Sequence, residues 1–232
     1  MEPKPRALTI LDSVSLLFFI AACAMVFFYT PTERVMGDVQ KVFYFHVAAG
    51  WVGMLSFFVA AIAGIIYLAK GGRNWDIVGI AGVEIGMVFA FINIVTGSIW
   101  ARPIWNTWWT LDPRLTTATV MELIYAAYLM LRSGIEDPNR RARFGAVYAI
   151  IGFVSVPLTF FSARLFRTIH PTVIGTNQPG YEEQFDMTPA MLQTFLFSLF
   201  TFSVVFADLL WHRIRLGHLA DMAAKLKLKN TS

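Results

Sequence analysis

Apolar runs parted by short polar stretches dominate the chain. At about 18 to 25 residues, each run is long enough as a helix to cross roughly 30 Å of hydrocarbon. The pattern predicts six crossings, at about 10–29, 46–69, 77–99, 115–132, 144–163 and 189–211. No cleavage pattern precedes the first run, and it exceeds the apolar core of a typical signal peptide, so it is expected to stay as a crossing. Gly79, Gly82 and Gly86 on one run, and Ala60 with Gly64 on another, predict close helix contacts. Between the first two runs, Thr30-Pro31-Thr32-Glu33 has capping-box spacing and is followed by Val35, Met36, Val39 and Phe43 at helical intervals. That predicts a short interfacial helix leading into the second crossing.

Composition adds a solvent to this pattern. Apolar residues are 56% of the 232 and the mean hydropathy is +0.58, above the roughly 45–50% apolar usage of soluble domains. The chain therefore reads as an all-α polytopic membrane protein, one integral domain over 1–232. Its net charge of +4 lies in short loops and tails, which points to membrane orientation and away from nucleic acid. With the N-terminus inside, the outer side holds only Arg34, Lys41, Arg102, Arg114, Arg164 and Arg167, and the other 13 of the 19 basic residues fall inside. Because lysine and arginine concentrate in cytoplasmic loops, the expected topology is N-in/C-in in the cell inner (plasma) membrane. Outer loops then fall at about 30–45, 100–114 and 164–188. The single cysteine, Cys23, sits in an apolar run, which excludes an intramolecular disulfide or a thiol pair.

Chemistry concentrates on the outer side. Four of the seven tryptophans, Trp100, Trp105, Trp108 and Trp109, fall in the second outer loop, in WARPIWNTWWTLDPRLT. An aromatic belt at the headgroup level is one reading. A platform is the other: on a helix, Trp105, Trp108 and Trp109 share a face as i, i+3 and i+4. Arg102, Asp112 and Arg114 flank them, and guanidinium groups suit a ligand bearing carboxylates. Asp112-Pro113 also has the form of a helix start, aspartate capping and proline following, while Arg114 could instead meet lipid phosphate. His46, in KVFYFHVAAGW, stands at the outer end of the second crossing, where Ala49 and Gly50 leave room beside it. His170, in TIHP, stands in the third outer loop. Two imidazoles beside an aromatic surface and basic residues match the needs of haem b: axial ligands, ring contacts and partners for its propionates. Zinc fits less well, for want of further ligands outside.

His212 and His218, in a basic tail, read as solvated or facing headgroups. Glu84 and Glu122 lie inside crossings, where a carboxylate needs a partner or a proton.

The string GSIWARPIWNTWWTLDPRLTT resembles the tryptophan-rich "WWD" signature of haem-handling proteins of cytochrome c biogenesis, most closely the haem exporter protein C family. KVFYFHVAAGW and TIHP resemble that family's two histidine-bearing outer segments. The chain departs from the pattern at Leu111, where tryptophan usually precedes the aspartate, and at Ala101, Asn106, Leu165 and Phe166. The resemblance implies haem held on the extracytoplasmic face by the WWD loop, with His46 and His170 as axial (metal) ligands. It implies delivery to a haem chaperone, and as partners a separate ABC-type ATPase, further membrane subunits and a small membrane subunit. No GxxxxGK[ST] occurs in the chain, so ATP chemistry would belong to a partner. Covalent attachment of haem to the chaperone would make the chain lyase-like; handling without catalysis is the primary expectation. A cytochrome b-like electron carrier is the alternative, and a transporter gated by the aromatic loop a third. A transmembrane electron path needs haem levels spaced across the bilayer, and no histidine lies deep in a crossing.

Overall fold

In the computed structural model, residues 3–34, 36–166, 168–170 and 187–231 are described. They form helices joined by short connections, and the one β-bridge among them pairs Glu33 with Gly37. Helix α1 spans Arg6–Ala24 and runs on through a π-helical turn, Met25–Tyr29. Helices α2 (Lys41–Lys70), α3 (Arg73–Trp105), α4 (Pro113–Ser133), α5 (Pro138–Gly152), α6 (Ser155–Leu165) and α7 (Pro189–Thr231) follow.

Five segments are long and apolar enough to cross a membrane: Arg6–Tyr29, Asp38–Lys70, Arg73–Trp105, Pro138–Leu165 and Pro189–Lys227. The run expected at 115–132 is helix α4, but Arg114, three threonines, Glu122 and Arg132 dilute its apolar character. Among the described residues five segments meet that criterion; α4 falls short of it in composition but runs the length of the bundle, from Asp112 beside Thr168 to Arg132 beside Asp76. The run at 144–163 is two helices meeting at Phe153–Val154. Pro157 has no N–H to give to the carbonyl of Phe153 and its ring crowds it, so the ladder breaks one turn upstream. The Ser155 hydroxyl and the Val156 N–H close the gap by bonding Gly152 O and Phe153 O. The last helix does not stop at 211: α7 has 43 residues, roughly 64 Å, so the basic tail continues it.

No α-helix opens at Thr30, contrary to the capping-box expectation. The Thr30 hydroxyl is drawn to Met25 O and to Thr194 on α7, 2.8 Å away. A 3₁₀ turn, Asp38–Gln40, leads into α2.

Helix α2 is central, packed on α3, α5 and α7. The small residues do what their spacing predicts. A Cβ on Gly82 would lie 2.8 Å from Ser56 O of α2, and one on Gly64 would lie 2.9 Å from Ala146 O of α5. Phe57 fills the space over Gly86 and stacks on Tyr125 of α4, ring centres 3.6 Å apart and nearly parallel. Outward faces carry large exposed apolar side chains, Leu17, Phe28, Phe91 and Ile151 among them, as a lipid-facing surface requires.

The end of the bundle opposite the tryptophans is tied by ion pairs. Buried Arg132 of α4 bonds buried Asp76 of α3 at 2.6 and 3.1 Å. Arg73 joins that carboxylate and reaches Asp221 of α7 at 2.8 Å. Glu84 has a guanidinium partner in Arg213. His212 bonds Asp12 at 2.8 Å and so links α7 to α1, a contact the solvated-tail reading did not anticipate.

Candidate functional site

His46 is one turn into α2 and faces α3. Its Nδ1 lies 3.0 Å from the Asn93 carbonyl oxygen and 3.2 Å from Thr96 Oγ1. A carbonyl only accepts, so this shorter contact favours the neutral tautomer with the proton on Nδ1 and the lone pair on Nε2, while the Asn93 side-chain nitrogen lies farther from Nδ1, at 3.2 Å. The Asn93 side chain donates to His46 O at 2.8 Å and locks the two helices in register. The room for the ring comes from Gly97, where a Cβ would lie 2.9 Å from His46 Cε1. Gly50, expected to serve that purpose, instead makes space for Asn93, and Ala49 is buried in the packing of α2 against α7.

His170 arrives from outside the helices. Its ring centre is 6.3 Å from that of His46, with 40° between the planes. Two imidazoles on opposite sides of one metal ion, each bonded at about 2.0–2.1 Å, have ring centres roughly 6 to 6.5 Å apart. The spacing thus suits a shared metal centre, and on His46 the nitrogen left for it is Nε2.

Two cavities meet at this pair, and His46, Asn93, Arg114 and His170 line both. The narrower, about 50 Å³, is walled by Trp100, Trp105, Trp109 and Gly97. The wider, about 350 Å³, opens towards α6 and α7 between Trp51, Phe160, Arg164, Phe195 and Phe200. Trp51 is held there by its Nε1 donating to Ser203 Oγ at 2.9 Å. Sequence reasoning passed over Asn93, Gly97, Trp51 and the phenylalanines of α7. Each looks like ordinary helix filling until α2, α3 and α7 are brought together.

The tryptophans do not form the helical platform expected. Helix α3 ends at Trp105, because Asn106 takes a left-handed conformation (φ 54°) and stops the ladder. Trp108 and Trp109 follow in irregular backbone. Trp100 is buried and packs edge-on against Trp105, ring centres 5.5 Å apart. Trp109 reaches the narrow cavity, whereas Trp108 is 58% exposed and lines neither cavity.

The charged residues divide as well. Arg114 reaches both cavities, but its Nη1 donates to the carbonyl of Thr159 and, at 2.9 Å, to that of Phe160, stitching α4 to α6. Arg102 folds back on Asn106, donating to its carbonyl at 2.7 Å, and lies outside both cavities. Asp112 is buried and caps α4, accepting from Arg114 N at 2.9 Å. Arg164, which the sequence marks only as one of the outer basic residues, packs over Phe160 and Phe161 at the wide cavity's edge. Arg167 and residues 171–186 of the loop expected at 164–188 lie outside the described residues.

A family model described as "Heme exporter protein C" matches residues 2–229. Proteins of that name from Bradyrhizobium diazoefficiens, Rhodobacter capsulatus and Escherichia coli (strain K12) are 33%, 31% and 30% identical to it. The matches cover 60%, 70% and 82% of this chain, and 53%, 67% and 74% of the respective relatives. The matched segment thus spans about half the length of the Bradyrhizobium protein.

Proposed function

Because the chain belongs to the haem exporter protein C family, we propose that it binds haem b through His46 and His170 at the extracytoplasmic end of the bundle and passes it to a haem chaperone during cytochrome c biogenesis. One observation carries the reading: two imidazoles with ring centres 6.3 Å apart, at the junction of two aromatic cavities, one of them turned so that Nε2 is the available nitrogen. The donor set fits the group. His46 and His170 would be the axial ligands. Trp100, Trp105 and Trp109 on one side, and Trp51, Phe195 and Phe200 on the other, would exclude water from an apolar macrocycle. Arg114 and Arg164 line the wide cavity and would supply positive charge for its carboxylates.

When bound, haem supplies the iron and the porphyrin, and the protein supplies orientation and release. Asn93 and Thr96 hold the proton on His46 Nδ1, which keeps Nε2 basic. Both histidines lie at one end, which favours presentation of a single haem over conduction across the bilayer. The expected partners are a haem chaperone, a separate ABC-type ATPase with its membrane subunits, and a small membrane subunit. The expected site is the inner membrane with the tryptophan loop outside.

Absorption and electron paramagnetic resonance spectra of the purified chain test the assignment. A low-spin bis-imidazole signature is expected, lost in both His46→Ala and His170→Ala and partly regained with added imidazole. Unchanged axial ligation in both variants would overturn it.

A further inference from the structure

The aspartate of the tryptophan motif does not line either cavity. Asp112 is 8% exposed, and its carboxylate takes three partners from two parts of the chain. Arg114 N donates to Oδ1 at 2.9 Å, the Thr168 hydroxyl lies 2.7 and 2.6 Å from the two oxygens, and Ile169 N donates to Oδ2 at 2.9 Å. Thr168 Oγ1 in turn accepts from His170 N at 3.0 Å. Thr168 is itself 7% exposed.

From this chain of bonds we propose that Thr168, held by Asp112, is the positioning residue that sets where His170 stands relative to His46. This rests on the reading of the two histidines as axial ligands. His46 needs no such device, since α2 and the Asn93 carbonyl hold it. His170 has no helix of its own: α6 ends at Leu165, and residues 168–170 are irregular. Through Asp112 the His170 segment is fastened to the first turn of α4, the same turn that carries Arg114 to the cavities. One carboxylate thereby keeps the tryptophan loop, the start of α4 and the second imidazole in a single register.

A threonine hydroxyl can give one hydrogen bond to Asp112 while accepting another from His170 N. Valine has the same shape and can do neither, whereas serine keeps both. Thr168→Val also leaves the α4 cap intact, so it spares the fold where Asp112→Ala would not. Orienting partners of metal ligands are worth on the order of 10- to 100-fold in affinity. For Thr168→Val we expect haem affinity to fall about 10-fold or more, with a shift from the bis-imidazole to a five-coordinate spectrum. Thr168→Ser should restore the spectrum, and added imidazole should restore six-coordination as it does for His170→Ala. Without haem, the Ile169 and His170 amides should exchange with deuterium faster in Thr168→Val than in the parent.

Faster exchange together with the spectral shift supports the tether. A parent-like spectrum and affinity in Thr168→Val, whatever the exchange rates, while His170→Ala loses its axial ligand, overturns this inference and leaves the functional reading standing. A parent chain indifferent to His170→Ala overturns the functional reading and this inference with it.

Discussion

At the residue scale, the four tryptophans that look alike in the sequence have separate places. Trp100 and Trp105 pack edge-on against each other and wall the narrow cavity beside His46, and Trp109 completes that wall. Trp108 points away and is 58% exposed. An indole buried against a ligand contributes its area and its ring contacts, whereas an exposed one contributes little. Trp105→Ala should therefore lower haem retention several-fold through detergent extraction, and Trp108→Ala should leave retention near that of the parent. Pyridine haemochrome content per mole of protein measures both. Equal losses from the two would mean that exposure does not sort these residues. Trp108, next to 89%-exposed Leu111, is better placed to meet a partner or the headgroup layer than to hold the ring.

At the element scale, α4 carries buried polar contacts at both ends. Both of its ends are fastened by side-chain bonds, Asp112 at the start and Arg132 at the finish. Arg132 lies across the Tyr128 ring and against Gly145 of α5, where any Cβ would collide with Nη1. Its partner Asp76 is 3% exposed at the side chain. Removing Arg132 leaves the buried Asp76 carboxylate with half-exposed Arg73 as its remaining ion-pair partner. Because Arg73 stays on that carboxylate, Arg132→Ala is expected to cost less than the about 3–5 kcal/mol of a fully stranded buried charge, and Arg132→Ala with Asp76→Ala should recover part of the loss. Thermal unfolding of the two variants in detergent, followed by circular dichroism, provides the comparison. A single variant no less stable than the double would refute the role given to the pair. Along α3 the pair lies about 36 Å from Trp100, so neither change should alter the haem spectrum.

At the scale of the whole molecule, the tryptophan end and the ion-paired end lie at opposite ends of the bundle, and the proposed topology has the tryptophan end outside. In a Cys23→Ser background, cysteine at Leu111 should react with a membrane-impermeant maleimide in intact cells, and cysteine at Leu226 only after lysis. The reverse pattern would invert the topology. What the sequence determined by itself is the class of the protein and where its chemistry gathers. Long apolar runs specify membrane helices because backbone groups in lipid must be satisfied internally, and local motifs marked the capping aspartate, the histidines and the tryptophan loop. Helix ends were less legible. The stop at Asn106, the break before Pro157 and the extension of α7 depend on single backbone conformations or on neighbours distant in the chain. Only the tertiary structure decided that Gly97 makes way for His46, that Asn93 sets its tautomer, and that Asp112 reaches Thr168 beside His170. Those contacts join residues 47 to 56 positions apart, and no local pattern encodes a hydrogen bond whose partner is supplied by another helix.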